Sequence, residues 1–265
     1  MESQVLLSTM GQENNNINRL IKNINLNSDC VIINQCNRDE KIEYYHNGYK
    51  VKLINSKDVG LSKSRNIAIK NSNSEICIIA DDDLEYVDNF NKIISREFSR
   101  NKKIDILVFK VDGKNKKFKK YLNREKRLSY LSSMKVSSVQ IAFRRKSIVE
   151  KKLYFNELLG AGAKYSMGEE NDFLFKCLKK GLKIKYIPIK IADLYIGESS
   201  WFNGYNDKYF IDRGASFTSM SKRFSNILIV QFAIRKRKLY KDKMSVIKAI
   251  KLMLCGKKDY LNQFE

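Results

Sequence analysis

An apolar run, Ile76-Cys77-Ile78-Ile79, leads without a break into Ala80-Asp81-Asp82-Asp83. A short continuous apolar stretch rich in β-branched residues reads as a strand buried on both faces, as in parallel sheets. The last residues of such a strand reach the rim of an open α/β sheet, where folds of this type bind ligands. Three adjacent carboxylates repel one another. The cluster therefore either spreads into solvent as an acidic turn or is held together by a cation, and a hard divalent ion shared with a phosphate-bearing ligand suits such oxygen donors.

Two further stretches bear on that choice. Upstream, Asp58-Val-Gly-Leu-Ser-Lys-Ser-Arg-Asn66 follows a strand expected over 50–54. Gly60 is a turn residue and Ser62 a good helix N-cap, so Lys63 and Arg65 fall at a helix start, where an anion is well received. Downstream, residues 159–168 form a glycine-rich loop, and a helix is expected from Glu169, with Phe173, Cys177 and Leu178 at helical spacing and Gly181 as its C-cap. Glu169, Glu170 and Asp172 lie in its first turn, which the helix dipole favours whatever else they do.

The remaining pattern alternates. Strands are expected over 5–9, 30–33, 104–111, 138–143 and 184–188, helices over 14–25, 89–100 and 147–152, and helix again beyond Trp201. Residues 112–127 read as a lysine-rich loop. Alternation of this kind argues for a mostly parallel sheet flanked by helices, and 265 residues suffice for one full core. No repeat or Pro/Gly/Ser linker breaks the chain.

The formal net charge is +22, unevenly spread. Residues 100–127 hold 12 Lys/Arg against three acids, and residues 222–258 hold 12 against one. Basic patches attract nucleic acid, anionic lipid and acidic substrates alike, so charge alone does not choose among them. The five cysteines include no CxxC pair, which suits a reduced cytoplasmic protein without structural zinc or disulfides. The N-terminus is not basic and the apolar run behind it is only Val5-Leu6-Leu7, so no signal peptide is expected. The longest apolar stretch, 227–234, is interrupted by Gln231 and falls far short of the ~20 residues of a membrane helix.

Taken together and in this order, Gly60-Leu-Ser-Lys-Ser-Arg-Asn66, Asp81-Asp82-Asp83 and Glu169-Glu170 resemble the motifs of family 2 glycosyltransferases with the GT-A fold. The resemblance runs from about Ser3 to about Ala215, and the stretch 198–215 is similar to that of bacterial polysaccharide-assembly members. It implies an α/β fold of GT-A type, Rossmann-like, followed by a helical tail. The catalytic domain would cover 1–200, with a nucleotide-sugar half of about 1–110 and an acceptor half of about 111–200, before a basic helical region over 201–265. It further implies an inverting transfer from a nucleoside-diphosphate sugar, UDP being the commonest, to a hydroxyl of a glycan or lipid-linked saccharide.

The same resemblance assigns roles. Asp83, with Asp81, would hold Mn²⁺ or Mg²⁺, while Thr9, Gln35, Lys63, Arg65, Asp81 and Asp82 would contact the nucleotide sugar. Asn34 and Asp39 are alternatives to Gln35 at the base. The general base would come from Glu170, Glu169 or Asp172, although the family usually has aspartate where Glu170 stands. Gly162, Lys164 and Trp201 would line the acceptor site. Many GT-A enzymes add a late histidine to the metal, but the only histidine here is His46, far too early, and Asp193, Tyr195 or Glu198 sit nearer that place. The basic tail would hold the protein to the inner face of an anionic membrane, or join two copies through its helices.

Two other classes compete. A nucleic-acid-binding protein is favoured by charge, but no nucleic-acid motif appears and the densest cluster is acidic. A metal-dependent nucleotidyltransferase also uses clustered aspartates, yet its glycine-rich N-terminal phosphate loop is missing from Ser8-Thr-Met-Gly-Gln-Glu-Asn14.

Overall fold

The structure, a computed structural model, describes every residue except 198–201, 203 and 265. The chain forms two compact units, one of residues 1–59, 63–154 and 177–197 and the other of 60–62, 155–176 and 198–265. In chain order the elements are β1 (Ser3–Met10), α1 (Ile17–Asn23), β2 (Asp29–Gln35), β3 (Glu40–His46), β4 (Tyr49–Ser56), α2 (Leu61–Asn71), β5 (Ile76–Asp81), β6 (Leu84–Tyr86) and α3 (Phe90–Arg100). Then follow β7 (Ile106–Gly113), β8 (Lys126–Arg127), α4 (Tyr130–Ser133), β9 (Ile141–Arg144), α5 (Arg145–Glu150), α6 (Glu169–Lys179) and β10 (Ile184–Leu194). Helices α7 (Asp207–Met220), α8 (Ser225–Arg235) and α9 (Val246–Leu261) complete the chain.

The first unit is built on one sheet of order β3-β4-β2-β1-β5-β9-β7-β10-β6, with β8 added to β10. Strands β4, β2, β1 and β5 are mutually parallel. Val5, Leu6 and Leu7 in β1, Ile32 and Ile33 in β2, and Ile78 and Ile79 in β5 are all buried although successive residues point to opposite faces. That two-sided burial is what their unbroken apolar sequence demands. Register pairs Thr9 with Asn34 and Ser8 with Asp81, so the carboxyl ends of β1, β2 and β5 finish side by side.

Several local expectations shift. Residues 40–46 form β3, an antiparallel edge strand paired only with β4. It lacks a continuous apolar run because only Ile42 and Tyr44 turn toward the core, while Lys41, Glu43 and Tyr45 alternate with them on the other face. Strand β10 runs through Pro188 to Leu194, with register shifts between Tyr186 and Ala192 that accommodate a residue unable to donate to the ladder. The helix expected over 14–25 begins as a 3-10 turn, Asn14–Asn16, before α1. Ser62 lies inside α2 rather than capping it, and its hydroxyl donates to the carbonyl of Leu159 at 2.6 Å.

The second unit is a helical layer. Helices α7 and α9 meet backbone to backbone at two glycines. A Cβ on Gly214 would stand 1.9 Å from the Met253 carbonyl oxygen, and one on Gly256 would stand 1.9 Å from that of Ile211. Around this crossing Phe210, Phe217, Ala249 and Met253 are buried. Asn206 caps α7 by accepting from the Tyr209 amide, and Ser245 caps α9 by accepting from that of Lys248. Among the described residues no helix is long and apolar enough to cross a membrane.

Candidate active site

The carboxylate cluster is arranged by the turn that follows β5. Asp81 ends the strand, Asp82 and Asp83 make the turn, and β6 returns antiparallel to β10. The Tyr195 amide donates to the Asp83 carbonyl at 2.9 Å and fixes the turn on its far side. The three side chains meet different fates. Arg65, which is 1% exposed, donates through Nη2 to both Asp81 oxygens at 3.0 and 3.2 Å and to Ser138 Oγ at 2.8 Å. Thr9 Oγ1 donates to Asp82 Oδ2 at 2.6 Å. Asp83 is exposed at the rim and has no cationic partner among the described residues. Desolvation by the surrounding chain, then the charges of Asp81 and Asp82, push its carboxyl up to about 6.

This donor set bears directly on the expected metal. Among the described residues no group of three or more His, Cys, Asp or Glu is arranged to cage an ion. Asp193, near the place of the missing late histidine, is ion-paired with Lys190 at 2.7 Å. Tyr195 contributes its backbone amide to the Asp83 turn, while Glu198 lies outside the described residues. A carboxylate beside two like charges and without a cationic partner is well placed to take one. The residues therefore fit a hard divalent ion that takes one or two carboxylates and fills its shell with phosphate oxygens and water.

The expected base-contacting residues separate by burial. Asn34 is fully buried and spends its amide on Asn55 Oδ1 and the Gln12 carbonyl, both at 2.7 Å, while accepting from the Gln12 amide. It holds the loop after β1. Gln35, half-buried at the end of β2, stands beside that loop, and its carbonyl accepts from the Gly11 amide. Asp39 is exposed and accepts from the Lys57 amide. Lys63, in the first turn of α2, is half-exposed and 3.6 Å from Asp58.

In the second unit the acidic first turn of α6 separates in the same manner. Asp172 is wholly buried, accepts from Ser219 Oγ at 2.6 Å and pairs with Lys176 at 2.7 Å. Ser219 in turn accepts from Asn156 Nδ2 and the Tyr260 hydroxyl, each at 2.9 Å, so this network ties α6 to α7, α9 and residue 156. Asp172 thus positions the helix. Glu169 is buried, with its carboxyl group against Gly160, where a φ of +102° and a 3.2 Å approach to that carboxyl would strain any side chain. Glu170 is the more accessible of the two glutamates.

The expected acceptor residues are also distinct in setting. Gly162 is exposed, and Lys164 reaches Asp259 at 2.9 Å, a carboxylate that also accepts from the Tyr165 hydroxyl. Those two hydrogen bonds hold the Asp259 carboxyl below its ordinary range. Trp201 lies outside the described residues; beside it in sequence, Phe202 packs with Tyr205 and Tyr209 at 5.3 and 5.6 Å between ring centroids. Ser138 beside Arg65 and the short β6 beneath Asp83 were not legible beforehand. A three-residue strand carries no usable periodicity, and a single serine no signal at all.

Such a sheet, with carboxylates at the ends of its parallel strands, defines an α/β protein of GT-A type. The chain matches the model of glycosyl transferase family 2 over residues 13–157, and it belongs to that family. Comparison with curated proteins gives no match. Among solved structures it is similar to S. aureus TarS 1–349, at 14% identity over 99% of this chain and 92% of that one, with a TM-score of 0.63. The same protein in complex with UDP-GlcNAc aligns at 13% identity over the same shares, with a TM-score of 0.65. The mannosyltransferase PcManGT from Pyrobaculum calidifontis, in complex with GDP-Man and Mn²⁺, aligns at 12% identity over 98% of this chain and 75% of that one, with a TM-score of 0.55. At such identities the likeness concerns the fold. Family membership makes the protein a glycosyltransferase.

Proposed function

We propose that the protein moves a sugar, with inversion, from a nucleoside-diphosphate sugar to a hydroxyl of a glycan or lipid-linked saccharide in surface polysaccharide synthesis. UDP is the proposed nucleotide, a choice supported by the family's common use of it. The observation that carries the reading is the unequal treatment of the three aspartates: Asp81 and Asp82 are held by Arg65 and Thr9, and Asp83 is left without a cation at the rim. Asp83, with Asp81, would hold Mn²⁺ or Mg²⁺, which when bound neutralises charge on the diphosphate leaving group.

The chain's own residues divide the remaining work. Thr9, Gln35 and Asp82, at strand ends, line the nucleotide side, and Lys63 adds a cation at the start of α2 for the phosphates. Arg65 acts by holding Asp81 in place. Glu170 accepts the proton of the acceptor hydroxyl as its oxygen attacks the anomeric carbon and the bond to the diphosphate breaks, releasing the nucleoside diphosphate. Glu169 is the alternative base, and Asp172 fixes the helix that carries both. Gly162, Lys164 and Trp201 belong to the acceptor side. This reading divides the chain into a donor half of about 1–110, an acceptor half of about 111–200 and a basic region over 201–265, at the cytoplasmic face of a membrane.

A panel of nucleotides and nucleotide sugars with and without Mn²⁺ tests it by thermal shift, since a ligand that binds only the folded state raises the melting point by mass action. A UDP-sugar is expected to stabilise the protein in the presence of Mn²⁺. If no nucleotide sugar shifts the melting point while random-sequence DNA does, the reading is wrong.

A further inference from the structure

Helix α8 is apolar on both sides. Leu228, Ile229 and Ala233 are buried within the helical unit, on the face that packs inward. Phe224 just before the helix, then Ile227, Val230 and Ile234, are 53%, 65%, 43% and 64% exposed. Their spacing of three, three and four residues sets them in one stripe along the opposite side. A surface helix ordinarily turns polar residues outward, so an outward stripe of four large apolar side chains calls for something that covers it.

Charge chooses the occupant. From residue 222 to 241 the chain carries seven Lys/Arg and no Asp or Glu. Lys222 and Arg223 precede α8, Arg235 ends its last turn and Lys236, Arg237 and Lys238 follow, so both ends of the stripe are cationic. None of the seven is in an ion pair among the described residues. A second copy of this chain would bring an equally basic stretch against them, and four side chains are few beside the ~800 Å² per partner of a standard interface. Nucleic acid would satisfy the cations but gives no use to Ile227, Val230 and Ile234, which do not stack on bases. An anionic bilayer meets both needs, with acyl chains for the stripe and phosphates for the cations.

We infer that the outward face of α8 docks the protein on an anionic membrane surface, with Phe224, Ile227, Val230 and Ile234 entering the headgroup–acyl boundary and the flanking Lys and Arg residues on lipid phosphates. This deepens the membrane-face location proposed above and does not depend on the transfer reaction. The helix lies in the surface and does not cross it.

Flotation of the full chain with vesicles decides the matter. The protein is expected to float at low salt with phosphatidylglycerol-containing vesicles and to stay at the bottom with pure phosphatidylcholine. The exposed double variant Ile227→Ser/Ile234→Ser, checked for an unchanged melting point, should lose several-fold in bound fraction, as should Arg235→Gln/Lys236→Gln/Lys238→Gln. Failure of the full chain to float with anionic vesicles overturns the inference. So does unchanged flotation of the serine variant, which would reduce the contact to charge alone. A concentration-dependent dimer that the serine variant dissolves, seen by sedimentation without lipid, would assign the stripe to a second copy instead. Release of UDP from a UDP-sugar, measured without vesicles, reports separately on the reaction and should be the same in the serine variant.

Discussion

Arg65 Nη2 stands 3.0 and 3.2 Å from the two carboxylate oxygens of Asp81, with the guanidinium sealed from solvent and the carboxylate only partly so. The sequence assigns this arginine to the ligand, yet its side chain spends its charge within the protein. A buried guanidinium is costly to desolvate and is tolerated because Asp81 and Ser138 answer it.

Removing one member of that pair leaves the other uncompensated. Arg65→Met should lower stability by about 3 kcal/mol, the lower end for a broken buried pair because Asp81 keeps some solvent. Urea denaturation measures this. A loss within ±0.5 kcal/mol, as for an ordinary surface change, would show that the pair does not hold the rim together.

The acids of α6 should separate by function. Glu170→Gln is expected to keep nucleotide-sugar binding and lose roughly 10²–10⁴ in turnover, the usual worth of a positioned base. Asp172→Asn should instead cost about 1–3 kcal/mol of stability through the Ser219 and Lys176 contacts, with turnover per folded molecule much closer to the parent. Full activity in Glu170→Gln together with loss in Glu169→Gln would move the base to Glu169.

The α7–α9 crossing makes a third prediction. Gly214→Ala and Gly256→Ala each place a methyl group 1.9 Å from a backbone oxygen that cannot step aside. Either should destabilise the protein at the upper end of the ~1–3 kcal/mol seen for overpacking, as a lowered melting point. The double variant should fall short of the sum, since the first methyl already parts the helices. Neutral behaviour would mean that the helices do not pack this closely.

How far the sequence carries the account depends on the kind of interaction. The strand before Asp81, the helix holding Lys63 and Arg65, and the helix from Glu169 each announce themselves by apolar periodicity and turn residues, which are local. Edge strand β3 escaped because Glu40–His46 has only one neighbour and carries only Ile42 and Tyr44 on its core side, too short an alternation to stand out. The reach of β10 past Pro188 depends on irregular pairing with β7, which the proline alone does not reveal. The burial of Asp172 against Ser219, and the reliance of α7 and α9 on Gly214 and Gly256, are set by residues some 40 positions apart. Pattern reading within a window of 11–18 residues cannot reach them.

The most direct measurement compares the parent with Asp83→Asn for UDP release from a UDP-sugar across a Mn²⁺ titration. The substitution keeps the side chain's shape and removes the charge that would meet the cation. The account predicts that the variant folds, melts within a few degrees of the parent without metal, and loses nearly all Mn²⁺-dependent turnover. Near-normal turnover of Asp83→Asn at low Mn²⁺ would contradict it.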